Sequence, residues 1–207
     1  MKKATKITCA FVDVGDVLLT DGWDHLARKR AVKHFRLEWA EMEDRHHLTF
    51  EVFEMGRLTL EEYLNLVVFH KKRCFTHDQF RQFMFAQSKP FPKMIELVTN
   101  LKQNLGLKIV FVSNESRELN AFRSNKFGLD KLSDCFVSSS FVRLRKPDVA
   151  IFKLALDLAQ VRPENSIYID NTPMFVQIAK SLGIQGILHR DYKTTCTKLS
   201  AIGLNAR

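Results

Sequence analysis

Little in this chain is suited to breaking or bending it. Of 207 residues only 8 are glycine and 5 proline, which excludes collagen-like, linker and low-complexity architectures. Cysteine is scarce too. Cys9, Cys74, Cys135 and Cys196 stand far apart, form no CxxC pair and match no zinc spacing, so buried, reduced thiols are expected in place of disulfides or zinc. No apolar run approaches the roughly 18 residues of a membrane-spanning helix. The basic start Met1–Lys6 and the apolar run to Leu19 imitate an export leader, but Asp13 and Asp16 interrupt it. A soluble, unexported, cytoplasmic protein is expected, a monomer or homodimer with no membrane partner. Acid is the last shortage: 23 Asp and Glu against 32 Lys and Arg, a formal charge of +9.

The 45% of hydrophobic residues can bury one substantial core, and the length suits one domain with a modest insertion. The densest basic stretches are Arg28-Lys29-Arg30 with Lys33 and Arg36, and Lys71-Lys72-Arg73. Both fall on expected helices, and neither is interleaved with base-stacking aromatics. Specific nucleic-acid binding is therefore not expected; the excess charge concentrates small anions instead.

Ile7–Val14 is apolar at nearly every position and too short for a helix, the pattern of a parallel strand buried on both faces. Leu107–Val112, Ser166–Ile169 and Ile184–Leu188 repeat it, and Cys135–Val137 is a weaker fifth strand. Helices with readable ends alternate with them: Pro92–Asn104, Ser116–Lys126, Asp148–Gln160 and Pro173–Leu182. The alternation predicts an α/β fold with a mainly parallel sheet. Between the first two strands, Asp24–Gln87 reads as four short helices. Capping boxes at Thr59–Glu62 and Thr76–Gln79 start two of them, and Gly56 ends another. The expected division is a core of residues 1–20 and 89–207 with a helical insertion of residues 21–88.

Ligands of parallel α/β sheets bind beyond the carboxyl ends of the strands. There the chain places Asp13 in Phe11-Val-Asp-Val-Gly-Asp16, Ser113-Asn114, and Asp170-Asn171, with Lys146 in Arg145-Lys-Pro147 before a helix. This order of Asp, Ser, Lys and Asp, with a helical insertion after the first motif, resembles the haloacid dehalogenase-like hydrolases. It is most similar to the subgroup containing sugar-1-phosphate phosphatases and the phosphatase domain of soluble epoxide hydrolases. The resemblance covers nearly the whole chain. It implies a Rossmann-like three-layer core with a small α-helical cap over the site.

It also implies roles. Asp13 becomes the nucleophile and Lys146 the charge that lets it approach a phosphate dianion. Ser113 and Asn114 hold phosphate oxygens. Asp13, Asp170, the Gly15 carbonyl and, as a further candidate, Asn171 ligate Mg²⁺ through hard oxygen donors. The family's phosphatases place a second acid two residues after the nucleophile, and here that position is Gly15. Asp16 is the candidate substitute; otherwise the substrate needs a good leaving group. Asn171 in place of a second acid implies weaker magnesium binding.

On the insertion, Trp23 can stack on a sugar ring or serve as a packing residue. His46-His47 reads as a solvated pair. Phe50, Phe53, Phe69, Phe75, Phe80, Phe83 and Phe85 read as the insertion's own core. The expected activity is Mg²⁺-dependent hydrolysis of a small phosphorylated metabolite, a sugar 1-phosphate among the candidates. A weak or inactive binding protein is the alternative. The third reading is a 2-haloacid dehalogenase. It needs a cationic halide cradle, for which Arg28 or Arg57 could be drafted, although exposed helix positions suit both better.

Overall fold

The computed structural model describes residues 6–205. The chain begins with strand β1 (Cys9–Val12) and then forms four helices: α1 (His25–Phe35), α2 (Trp39–Glu54), α3 (Leu60–Val67) and α4 (His77–Ala86). There follow α5 (Pro92–Gln103), β2 (Lys108–Ser113), α6 (Arg117–Phe127), the short α7 (Leu129–Leu132), β3 (Cys135–Ser138) and α8 (Ser139–Val142). The chain continues with α9 (Val149–Ala159), β4 (Ser166–Asp170), α10 (Pro173–Ser181), β5 (Gln185–Leu188) and α11 (Tyr192–Ser200). The five strands form one sheet in the order β3-β2-β1-β4-β5, and every neighbouring pair is parallel. The fold is α/β, as the strand-helix alternation predicts. The basic start Met1–Thr5, including that part of the leader-like stretch, lies outside the described residues.

The continuous apolar character of β1 has a simple cause, since consecutive strand residues face opposite ways. Ala10 and Val12 join a core under α5, α7 and α11, while Cys9 and Phe11 join a second core under α9 and α10. Both faces are thus covered and three layers result. Ile7 and Val14 are buried as well, but the strand itself is only Cys9–Val12, shorter than the apolar run.

The helices α1–α4 bury a third cluster around Tyr63, Leu64, Phe53, Phe80 and Met84. Both expected capping boxes form, Thr59 with Glu62 and Thr76 with Gln79. Gly56 has φ +64°, and a Cβ there would lie 2.3 Å from the Ser140 carbonyl, so only glycine lets the end of α2 approach α8. No helix among the described residues is long and apolar enough to cross a membrane. The four cysteines are unpaired; Cys9 and Cys196 are buried, but Cys74 is exposed, contrary to the expectation of buried thiols.

Candidate active site

Asp13 follows β1 directly, and its amide extends the ladder to the Ile169 carbonyl of β4 (2.9 Å). Ser113 and Asp170 are the last residues of β2 and β4. Because β1 lies between those strands, sheet order alone brings the three side chains to one edge. Lys146 reaches them from the loop before α9. Its Nζ stands 3.0 Å from Asp13 Oδ1 and 2.8 Å from Asp170 Oδ2. Tyr168 Oη also donates to Asp170 Oδ2, and the Thr172 amide donates to Asp170 Oδ1 at 2.6 Å. The Val14 amide donates to Asp13 Oδ1 at 2.8 Å.

Lys146 and Asp170 are almost fully buried, at 1% and 0% exposure. Charges so placed persist only when paired. Burial raises Asp13 to about 7, against the opposing pull of the Lys146 ammonium. Burial alone would lower Lys146, but Asp13 and Asp170 carry it above its ordinary value, so it stays charged. Asp13, Ser113 and Lys146 line a recess of about 150 Å³ that also includes Gly15, Asp16, Asp21, Asn171 and Arg145, with Asp170 fully buried behind Lys146.

Asn114 shares this recess, but its amide is committed elsewhere: Nδ2 donates to the Lys146 carbonyl and Oδ1 accepts from the Lys146 amide, both at 2.8 Å. Asn114 thereby clamps the lysine-bearing loop. Asp16 is in the left-handed region (φ 52°), and its Oδ1 accepts from the Asp21 amide at 3.0 Å, closing the loop on itself.

That closure delivers Asp21 to the site. An ideal Cβ on Gly15 would lie 3.4 Å from Asp21 Oδ1, in van der Waals contact, so the Asp21 carboxylate stands next to the position a side chain at 15 would take. Asp21 stands in an open recess ringed by protein. Burial, helped by the like charges of Asp16, Asp24 and Glu54, raises it to about 6 while Arg123 pulls it down. The sequence pattern singles out no role for Asp21. The available signal was the short return loop, whose far end must come back to its start.

Arg123 also went unnoticed in the sequence. It is buried on α6, donating to Glu115 Oε1 (2.5 Å), Ser88 Oγ (2.9 Å) and the Thr20 carbonyl (2.7 Å). One guanidinium thereby ties both chain segments that lead to and from α1–α4. Gly22 leaves it room, because a Cβ there would stand 2.2 Å from Arg123 Nη2.

Three expectations about the insertion need correction. Arg28 is not an exposed helix arginine: it is buried, bonded twice to Glu43 (2.6 and 2.9 Å) and once to the Trp23 carbonyl. His46 is not half of a solvated pair. It is buried with Nδ1 2.8 Å from Tyr63 Oη, while His47 is exposed. Desolvation and the Arg28 charge lower His46 to about 3, so it is neutral. Phe50 lies outside the buried cluster, stacked on His46 with the Arg145 guanidinium over its ring. Trp23 packs edge-on to Phe80 and donates to Tyr63 Oη at 2.9 Å, while still lining a cavity beside the recess. Arg57 is exposed. Lys71 pairs with Glu41, and Arg73 bonds the Val68 carbonyl at the end of α3.

A family model described as haloacid dehalogenase-like hydrolase matches residues 7–183. The chain belongs to that family. Curated relatives of this hydrolase include a drimenol cyclase from Aspergillus calidoustus, 27% identical over 192 residues, and a phosphorylated carbohydrates phosphatase from Thermotoga maritima, 27% identical over 134 residues. These alignments cover 88% and 63% of this chain, which spans 34% and 57% of the two relatives. A haloacid dehalogenase family enzyme from Bacteroides thetaiotaomicron superposes with a TM-score of 0.78 at 18% identity, covering 89% of this chain and 94% of its own. That enzyme has also been solved with magnesium and inorganic phosphate. An L-2-haloacid dehalogenase from Xanthobacter autotrophicus shares the fold more distantly, with a TM-score of 0.62 at 14% identity over 94% of this chain and 83% of that one.

The metal donors expected here are oxygens throughout, the chemistry magnesium requires. Asp13 and Asp170 are its only carboxylates, and no group of three or more His, Cys, Asp or Glu suited to a metal ion gathers among the described residues. Their chemistry suits magnesium, for which Asp170, fully buried, would have to exchange one of its bonds to Lys146, Tyr168 or the Thr172 amide.

Proposed function

We propose that this hydrolase is a magnesium-dependent phosphatase of a small phosphorylated metabolite, acting through a phosphoryl group carried transiently on Asp13. The observation that supports this best is the Lys146 ammonium held between Asp13 and Asp170 in a recess of phosphoryl size. Phosphoryl transfer needs an in-line nucleophile and positive charge around the transferred oxygens, and little else.

Asp13 Oδ1 is occupied by Lys146 and the Val14 amide, which leaves Oδ2 to attack phosphorus. Lys146 offsets the repulsion between that carboxylate and the dianion, and Ser113 donates to a phosphoryl oxygen. Magnesium, held by Asp13, Asp170, the Gly15 carbonyl and Asn171, would neutralise charge on the transferred oxygens. As the bond from phosphorus to the ester oxygen breaks, the leaving oxygen takes the proton of the Asp21 carboxyl. Asp21 suits this better than Asp16, whose carboxylate is tied to the loop amide. A water then attacks phosphorus, gives a proton back to Asp21, and frees phosphate and the Asp13 carboxylate.

A dehalogenase is disfavoured by the same geometry, because Arg28 is closed on Glu43 and the recess is rich in carboxylates. The test is release of inorganic phosphate with Mg²⁺ from sugar and acyl phosphates, beside halide release from 2-haloacids. Phosphate release that disappears in Asp13→Asn supports the proposal. Halide release alone, or turnover unaffected by Asp13→Asn, overturns it. No turnover of any compound favours the binding-protein alternative.

A further inference from the structure

Of the expected metal ligands, Asp170 alone does not line the recess. It is fully buried behind Lys146, and three donors hold it there. Oδ2 accepts from Lys146 Nζ at 2.8 Å and from Tyr168 Oη, and Oδ1 accepts from the Thr172 amide at 2.6 Å. A carboxylate oxygen has two lone pairs, so Oδ2 is full. A cation in the recess gains Asp170 only if the carboxylate turns and gives up part of this set.

The three donors differ in how well they tolerate that turn. Lys146 is a flexible chain bonded to Asp13 as well, at 3.0 Å, so it keeps a partner when Asp170 leaves. The Thr172 amide holds only Oδ1, which retains a second lone pair. Tyr168 is the donor that cannot follow. Residues two apart on a strand share a face, so its ring lies alongside Asp170 on β4, fully buried and packed edge-on against Phe152 with centroids 5.2 Å apart. Among the described residues its hydroxyl has no hydrogen-bond partner except Asp170. When Asp170 turns away, that hydroxyl is left buried and unpaired, which opposes the turn.

We infer that Tyr168 is a lock on the metal site: acting through Asp170, it keeps the empty site closed on Lys146 and opposes the entry of a divalent cation. Tyr168 is thus a positioning residue with an inverted effect. A hydrogen-bonded partner behind a metal ligand ordinarily orients that ligand, and its loss weakens metal binding about 10- to 100-fold. Here the partner holds the ligand away from the recess. The inference rests on the magnesium-dependent phosphatase reading and deepens it, since a locked site fills only at high Mg²⁺ concentration.

The experiment is calorimetric titration of Mg²⁺, without substrate, into wild type, Tyr168→Phe and Asp170→Ala. Tyr168→Phe keeps the ring that packs on Phe152 and removes only the hydroxyl. It should bind Mg²⁺ about 5- to 100-fold more tightly than wild type, the factor set by an unpaired buried hydroxyl. Binding that becomes measurable only in Tyr168→Phe supports the lock equally. Asp170→Ala should bind most weakly. Unchanged binding by Tyr168→Phe overturns the lock, and weaker binding overturns it by giving Tyr168 the ordinary supporting role. In either case a loss of binding in Asp170→Ala leaves the magnesium site itself standing. Binding undisturbed in Asp170→Ala, or absent from all three proteins, overturns the magnesium reading together with the lock.

Discussion

Position 15 carries only a hydrogen, and a carboxylate from further along the chain stands in the space before it. If Asp21 supplies the proton, its loss must be felt in proportion to how badly the leaving group needs one. Asp21→Asn should lower kcat/KM on alkyl phosphates about 10²- to 10⁴-fold while acetyl phosphate, whose leaving group is already acidic, changes little. Asp16→Asn should affect the two substrates alike, because Asp16 holds the loop. Steady-state kinetics on both substrates checks this, and equal losses in Asp21→Asn would remove it from proton transfer. At this scale the sequence was legible wherever a residue's place follows from strand order: Asp13, Ser113 and Asp170 converge because β1 lies between β2 and β4, and Lys146 joins them from the loop before α9. Asp21 was not legible, because its position depends on the path of a loop.

Among the elements, α6 is the one that joins core to insertion. Arg123 reaches from it to Thr20 and Ser88, and Glu118 of the same helix accepts from the Leu60 amide at the start of α3 (2.9 Å). Arg123→Ala leaves Glu115 buried without its partner and two linkers untied. Removing one member of a buried pair costs about 3 to 5 kcal/mol. Urea unfolding should register a loss of that order, and a loss below about 1 kcal/mol, the value of a surface pair, would contradict the clamp.

Helices α1 and α2 carry the misread residues. Arg28 and His46 look solvated because a helix sequence shows charge but not the neighbour that buries it; here the neighbour is Glu43 for one and Tyr63 for the other. His46 makes the consequence measurable. Its native pKa of about 3 lies below the ordinary 6.5, so between those values the unfolded chain binds the proton and the native chain does not. Stability therefore falls on acidification through that window, by up to about 1.4 kcal/mol per pH unit from this group. The groups shaping the shift are Arg28, Glu43 and His47. Buried carboxylates with raised values, such as Asp13, act in the opposite sense, so the difference between wild type and His46→Gln isolates the histidine. Urea unfolding at pH 7 and pH 5 should show a smaller loss in the variant. Parallel losses would mean that His46 is not held neutral.

For the molecule as a whole, the alternation of strands and helices made the three-layer sheet legible, and the helical insertion was legible from its length and its two capping boxes. The way the two parts join was not, because Gly56 against Ser140, Arg145 on Glu54 and Arg123 on both linkers are contacts across long stretches of chain. Several residues of the basic clusters have local partners, which leaves the overall charge of +9 suited to attracting a small anion. The central claim is chemical: Asp13 carries the phosphoryl group between two half-reactions. Acid-quenched wild-type enzyme turning over a phosphate ester should yield, by mass spectrometry, a peptide containing Asp13 with the added mass of one phosphoryl group, absent from Asp13→Asn. Turnover with an unmodified Asp13 peptide under the same quench, or a phosphoryl group on any other residue, would contradict it.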